Sequence, residues 1–324
     1  KMLTKQILVI LLSLILFGCS ENYNPLIEED EQFLHSTLNF SGSEDNLDII
    51  TWNIENFPKH SLTIDYIKEC IDSLNVDIIA LQEISNSYSF NELVNELSAS
   101  CLTGGDCWDG FRSGSINSQY GELSFLINTN QVSSYQNPYT ILYQEESYYF
   151  AYREPYVLKF NYNGQNLTLI NIHYKCCDGS EDRREQASFL LHNYITTNMA
   201  NDKVIIVGDY NDELIDDNNV FDIFINDSNF SFTDLDIAAG SSVFWSFPGW
   251  PSHIDHILIT SGDSYLLEFT ATLTSGATPT VSVLDGHSGG SSVGLSAKTV
   301  IAGANKITFT GTATDSSSTI RFNT

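Results

Sequence analysis

Five short apolar runs each carry a side chain with an oxygen or imidazole nitrogen near one end. DIITWNIENF (Asp48 to Phe57) brings Asn53, and IIALQE (Ile78 to Glu83) brings Glu83. LTLINIHY (Leu167 to Tyr174) brings His173, and VIIVGDYND (Val204 to Asp212) brings Asp209 and Asn211. SHIDHILIT (Ser252 to Thr260) brings Asp255. Carboxylate and amide oxygens, joined by one histidine and no cysteine, are hard donors. They suit Mg2+ or Ca2+, with Mn2+ as a further alternative, and they suit the chemistry of phosphate esters, where a cation offsets charge developing on the phosphoryl oxygens. Taken singly, each motif is only a polar turn after a buried strand.

The elements that must position these residues follow from periodicity. Continuous apolar runs of this length are strands buried on both faces. Between them, Leu62, Ile64, Ile67, Ile71 and Leu74 recur at helical spacing, which predicts a helix over Ser61 to Leu74. A second helix is expected over Phe90 to Leu97 and a third from Ser180 to about Asn198, with acidic residues in its first turn. Strands are expected at Val76 to Leu81, Glu122 to Ile127, Pro138 to Tyr143, Tyr156 to Tyr162, Leu167 to His173, Val204 to Val207 and Ile254 to Ile259. Helices outside and strands inside imply a layered α/β architecture with two central sheets.

The chain has 324 residues, 42% hydrophobic, and a formal net charge of −27. That length allows one large domain and an accessory piece. Such acidity argues against a polyanion held by bulk electrostatics, since duplex binding usually rests on a basic surface, although a bound cation supplies local positive charge. The acidity also suits a solvated surface that keeps an exported protein soluble.

The first residues resemble a targeting segment. Lys1 and Lys5 precede the apolar run Ile7 to Phe17, which is too short to span a bilayer. The LFGCS sequence that follows resembles a bacterial lipobox, which implies a signal peptide over 1–18 and lipid on Cys19. Residues 19–45 are acidic and polar, as in a tether. Export permits disulfides; Cys101 and Cys107 bracket a loop that one could close, while Cys70, Cys176 and Cys177 leave the pairing open. From about residue 263 to 324, Ser, Thr and Gly dominate alternating runs such as TVSVL and KITFTGTA, which predict a small all-β segment.

The ordered motifs resemble the endonuclease/exonuclease/phosphatase superfamily, over about residues 46–262. QYGELSFLINTNQVSSY, YREPYVLKF and INIHY, between Gln119 and Tyr174, resemble deoxyribonuclease I in the same order. The resemblance implies a four-layer α-β-β-α sandwich. It implies that Asn53 and Glu83 hold the metal and that His173 meets the scissile phosphate and protonates the leaving oxygen. Glu122, in Tyr-x-Glu, would orient that imidazole and raise its pKa. Arg153 would face phosphate oxygens with its fork. Asp209 and Asn211 would polarise the attacking water, and Asp255 would help hold metal or orient the phosphate. Glu55 is either a further metal-side group or a surface glutamate. His253 could reach substrate, His256 points away from Asp255, and Arg183 and Arg184 either meet phosphate near a helix start or lie on a solvated helix face. The aromatics of WSFPGWPS pack, or meet a base or lipid at the rim.

One departure stands out. The family's terminal Asp-His dyad is missing after Thr260; only Asp285 and His287, spaced by Gly286, offer a substitute. The sandwich would then lack its last strands. The expected function is a metal-dependent phosphodiester hydrolase acting on DNA as an exported endonuclease. The alternatives are a sphingomyelinase-like or small-molecule phosphodiesterase, and an inactive surface lipoprotein that binds. The expected setting is the bacterial cell envelope, at the outer membrane or cell surface, as a monomer with no evident protein partner.

Overall fold

The computed structural model describes residues 42, 46–99, 107–114, 121–247 and 251–260, together with the backbone of five strands beyond residue 263. The signal segment, Cys19, nearly all of the tether and Cys101 lie outside the described residues. Cys107 is disulfide-bonded. Among the described residues, no helix is long and apolar enough to cross a membrane.

Two sheets form the centre. The first has the order β1 (Ile49–Phe57), β2 (Ile78–Ile84), β4 (Glu122–Asn128), β3 (Trp108–Arg112). The second runs β10 (Phe230–Phe232), β11 (Asp255–Thr260), β9 (Lys203–Asp209), β8 (Gln165–His173), β7 (Tyr156–Tyr162), β5 (Ser134–Tyr135), with β6 (Tyr139–Thr140) also on β7. β1 and β2 are parallel, as are β8 and β9; every other pair in these two sheets is antiparallel.

Alternation along each strand makes four layers, because successive side chains leave a strand on opposite faces. Ile78 and Ala80 point between the sheets, where they meet Leu158, Leu169, Val207 and Ile257. Ile79 and Leu81 point outward onto α1 (Thr63–Leu74) and α2 (Ser87–Ala99), meeting Ile67, Ile71, Phe90 and Leu93. On the other side, Ile170, Ile172, Val204 and Ile206 face α3 (Glu181–Asn198), whose Ala187, Leu191 and Ile195 recur on one face. α1 ends where Asn75 takes a left-handed conformation, which no helix can continue.

The strand expected over Pro138 to Tyr143 shrinks to Tyr139–Thr140. Leu142 and Gln144 adopt positive φ, 56° and 69°, which ends the extended chain, and Ile141 and Leu142 drop into the core under α3. Trp108–Arg112 and Phe230–Phe232 are strands that the periodicity did not announce. Among the described residues, β1 has a sheet neighbour on one side only. The five strands after residue 263 pair with one another, in sheets of two and three, and form the expected all-β segment.

Candidate active site

The carboxyl ends of β1, β2, β8 and β9 meet at one edge of the sandwich. Asn53 Nδ2 donates to Glu83 Oε1 at 3.0 Å and to Asp209 Oδ2 at 2.9 Å, so one amide joins the two sheets. Its Oδ1 accepts from the Glu55 amide at 2.9 Å, and Glu83 Oε2 accepts from the Asn56 amide at 2.9 Å. The strands break to allow this. The β1–β2 register slips between Asn53 and Phe57, and the β2–β4 register slips between Leu81 and Ile84. Glu55, Asn56 and Glu83 all sit at positive φ (40°, 55° and 64°), a conformation that costs a non-glycine residue about 1–3 kcal/mol. Gly121 accommodates the bulge, since a Cβ there would lie 2.4 Å from Glu83 Cα.

His173 ends β8 directly opposite Asp209 on β9. Its Nε2 lies 3.4 Å from Asp209 Oδ2 and 4.0 Å from Glu83 Oε1. Gly208 lets the two strands close, because a Cβ there would lie 2.0 Å from the Ile172 carbonyl oxygen. Asp209 Oδ1 accepts from the Asn211 amide at 2.9 Å, and Asn211, at φ 55°, donates its own amide to Tyr174 O at 3.2 Å. Asp255 stands beside Asp209 across the β11–β9 ladder. Ser246 Oγ accepts from the Ile254 and Asp255 amides at 2.8 and 3.1 Å, so the aromatic loop is tied to the strand that carries Asp255.

Beneath these groups lies a polar clasp between the sheets. Asn171, two residues before His173, donates to Leu81 O at 2.9 Å and Ser124 O at 3.0 Å. It accepts from Gln82 Nε2 at 2.8 Å, and Gln82 also donates to Thr51 Oγ1 at 3.1 Å. Gln82 and Asn171 are fully buried.

The electrostatics are those of carboxylates short of positive charge. Burial pushes the Asp209 carboxyl up to about 6. Burial, followed by the charge of Asp209, pushes Asp255 well above the usual carboxylate range. Asp255 Oδ1 is buried with no hydrogen-bond partner among the described residues. Burial, then the charges of Arg153 and Lys175, hold His173 well below its ordinary value, so its imidazole is neutral. Crowded, buried carboxylates with an orphaned oxygen fit a hard divalent cation; Asn53 and Glu83 supply oxygen donors, with Asp209 and Asp255 adjacent.

The structure therefore brings together Asn53, Glu83, His173, Asp209, Asn211 and Asp255. Glu122 does not meet His173 here, while Arg153 lies close enough for its charge to act on His173 and Asp209. Glu122 pairs with Arg112 at 2.5 Å and makes no hydrogen bond to His173, whose Nδ1 has no partner among the described residues; the imidazole is neutral, not raised. A nearby arginine captured the carboxylate instead. Arg153 is buried and donates to His173 O at 3.2 Å and Tyr174 O at 2.6 Å, so its fork braces the end of β8. Glu55 is exposed and pairs with Lys59. Arg184 is buried on Asp212 at 2.8 Å, not solvated, and Arg183 stacks on Tyr148. His253 is buried against Asp234. Sequence reasoning missed Ser246, hidden among the aromatics of WSFPGWPS, and Asp234, which belongs to no motif; the partners named for them are 8 to 22 residues away in sequence. Asp285 ends a described strand, and His287 lies outside the described residues.

A model of the Endonuclease/Exonuclease/phosphatase family matches residues 50–291. Among solved structures, truncated Caenorhabditis elegans TDP2 superposes with a TM-score of 0.51 at 13% identity, covering 70% of this chain and 90% of that one. A humanized D. rerio TDP2 carrying 14 mutations gives a TM-score of 0.50 at 13% identity, covering 69% and 88%. These are likenesses of fold. No curated protein matches the chain.

Proposed function

The chain belongs to the endonuclease/exonuclease/phosphatase family, and from that premise we propose that this hydrolase of phosphoric esters is an Mg2+-dependent phosphodiesterase, exported and anchored by lipid on Cys19, that cuts DNA internally. The domain division at residues 18, 45 and 262, and a place in the bacterial cell envelope as a monomer, belong to the same proposal. The observation that carries the catalytic reading is the Asn53 amide bridging Glu83 and Asp209, which joins the metal-side group to the water-side group within hydrogen-bond distance.

A divalent cation held by Asn53 and Glu83 supplies charge neutralisation for the phosphoryl oxygens. The chain's own groups do the rest. Asp209, with its pKa pushed up to about 6, accepts the proton of the attacking water at Oδ2. Asn211 and the Asn53 amide fix the direction of that carboxylate. The neutral imidazole of His173 donates one N–H hydrogen bond at Nε2 to the phosphoryl group or its leaving oxygen. Asp255, beside Asp209, is held toward its neutral form by burial and by the Asp209 charge, and a bound cation would favour its ionised form.

A second reading keeps this chemistry and takes a lipid headgroup as substrate. The net charge of −27 disfavours a polyanion, and Val243, Phe244 and Phe247 expose 78%, 66% and 50% of their surface on the loop tied to Asp255. Supercoiled plasmid and sphingomyelin vesicles, each incubated with the full chain in Mg2+ plus Ca2+ and again in EDTA, separate the two. Metal-dependent nicking supports the nuclease; intact plasmid with headgroup release would replace it by the second reading.

A further inference from the structure

We propose that Asp234, His253 and His256 form a buried Zn2+ site separate from the catalytic residues. His256 Nδ1 and His253 Nε2 approach the same oxygen, Asp234 Oδ2, at 2.7 and 2.9 Å. Asp234 and His253 are 1% exposed and His256 is 0% exposed. Their ligand atoms all lie within 4.8 Å of one another.

Four features point to a cation of borderline softness. Two imidazoles and one carboxylate are a Zn2+ donor set, unlike the all-oxygen set at Asn53 and Glu83. Asp234 begins the short helix Leu235–Ala238 yet does not cap it with its side chain. Its carboxylate turns to the histidines, while Oδ1 accepts the Ile257 amide at 3.2 Å. His256 directs its second nitrogen, Nε2, to the Asp212 carbonyl oxygen at 2.9 Å, the outer contact that fixes the tautomer and orientation of a metal-bound imidazole. As a purely hydrogen-bonded cluster the group is incomplete, since His256 faces an acceptor at each nitrogen and a neutral imidazole has one N–H to give.

Around His256 the rings of Tyr210, Phe221 and Phe232 lie at centroid distances of 5.4, 6.0 and 5.9 Å. That aromatic shell lowers the polarity around His256 and limits access of bulk solvent. Three protein ligands leave a fourth position for water. The site would clamp the segment after β10 onto the start of β11, one residue on either side of the Ile254–Asp255 pair.

The test uses the untagged full chain, loaded with Zn2+ alone, desalted and assayed for metal per chain, with melting followed in parallel. One retained Zn2+ is expected in the wild type and in Glu83→Ala, a raised Tm with Zn2+, and loss of both in His253→Gln and Asp234→Asn. The Co2+-loaded wild type should absorb strongly in the visible, as low-symmetry nitrogen-oxygen sites do. That spectrum decides the matter even if the variants misfold. Absent Zn2+ retention, retention undiminished in folded His253→Gln, or only the weak absorption of an octahedral oxygen site would overturn the proposal. Because Glu83→Ala removes the catalytic ligand, failure here leaves the hydrolase reading untouched.

Discussion

His173 on β8 and Asp209 on β9 face each other across a parallel ladder, with Nε2 and Oδ2 3.4 Å apart. Their distance depends on a residue that bears no chemistry. Gly208 carries no Cβ, and any Cβ would meet the carbonyl oxygen of Ile172, the residue before His173, at 2.0 Å. Gly208→Ala should therefore push the strands apart, at about 2–4 kcal/mol in stability, and lower turnover by roughly a hundredfold. Thermal melting and plasmid hydrolysis check both. A variant with wild-type Tm would show that the strands do not need this contact.

Glu83→Ala should reduce metal-dependent hydrolysis at least about a hundredfold while the fold survives, because Glu83 contributes a donor and not core volume. Residual activity should no longer respond to EDTA. Cleavage at the wild-type rate would remove Glu83 from the metal site.

Proton linkage at Asp209 sets a pH dependence. Its folded pKa, about 6, lies above the value of 3.8 usual for the group. A raised carboxylate contributes stability below the unfolded value and loses it as pH rises through the folded value, on the order of 3 kcal/mol at most. Without metal, this contribution should fade between about pH 4 and pH 6. A cation binds only the ionised form, so the Tm increase produced by Mg2+ should be near zero at pH 4 and complete by about pH 7. Hydrolysis should rise through the same interval. A Tm increase independent of pH would contradict the placement of Asp209 beside the metal.

Glu122→Gln offers a direct contrast. Its carboxylate serves Arg112, so the neutral amide should change activity by no more than about threefold. A loss near a thousandfold would mean that Glu122 leaves Arg112 for His173 during the reaction.

The fold was largely legible because the apolar strands and amphipathic helices have clear periods; Tyr156–Tyr162 matches its expected bounds at both ends. Asn53, Glu83, His173, Asp209, Asn211 and Asp255 could be expected near one another because each lies in such a strand or just beyond one, and the structure brings them to one edge of the sandwich. What failed was partner choice. The spacing of Glu122 said nothing of Arg112, ten residues earlier on a strand that Gly110 interrupts and periodicity missed. Arg184 read as a surface residue because helix position cannot reveal a half-buried carboxylate such as Asp212 waiting across a loop. Asp234 lies in no motif at all, and only folding brings it to two histidines about twenty residues away.

Asn171 carries a further consequence. Asn171→Ala would strand Gln82 and two carbonyl oxygens, at about 2–4 kcal/mol, and should lower kcat more than it raises KM. Equal scaling of both would assign it to stability alone.

The candidate site residues are divided between two sheets, with Asn53 and Glu83 on one and His173, Asp209 and Asp255 on the other. The sandwich thus works as a caliper whose jaws are the strand ends and whose hinge pin is the Gln82–Asn171 clasp. Swelling or shear in the interior, at Ala80 or Leu169 as much as at the rim, would shift these strand ends without any contact to substrate.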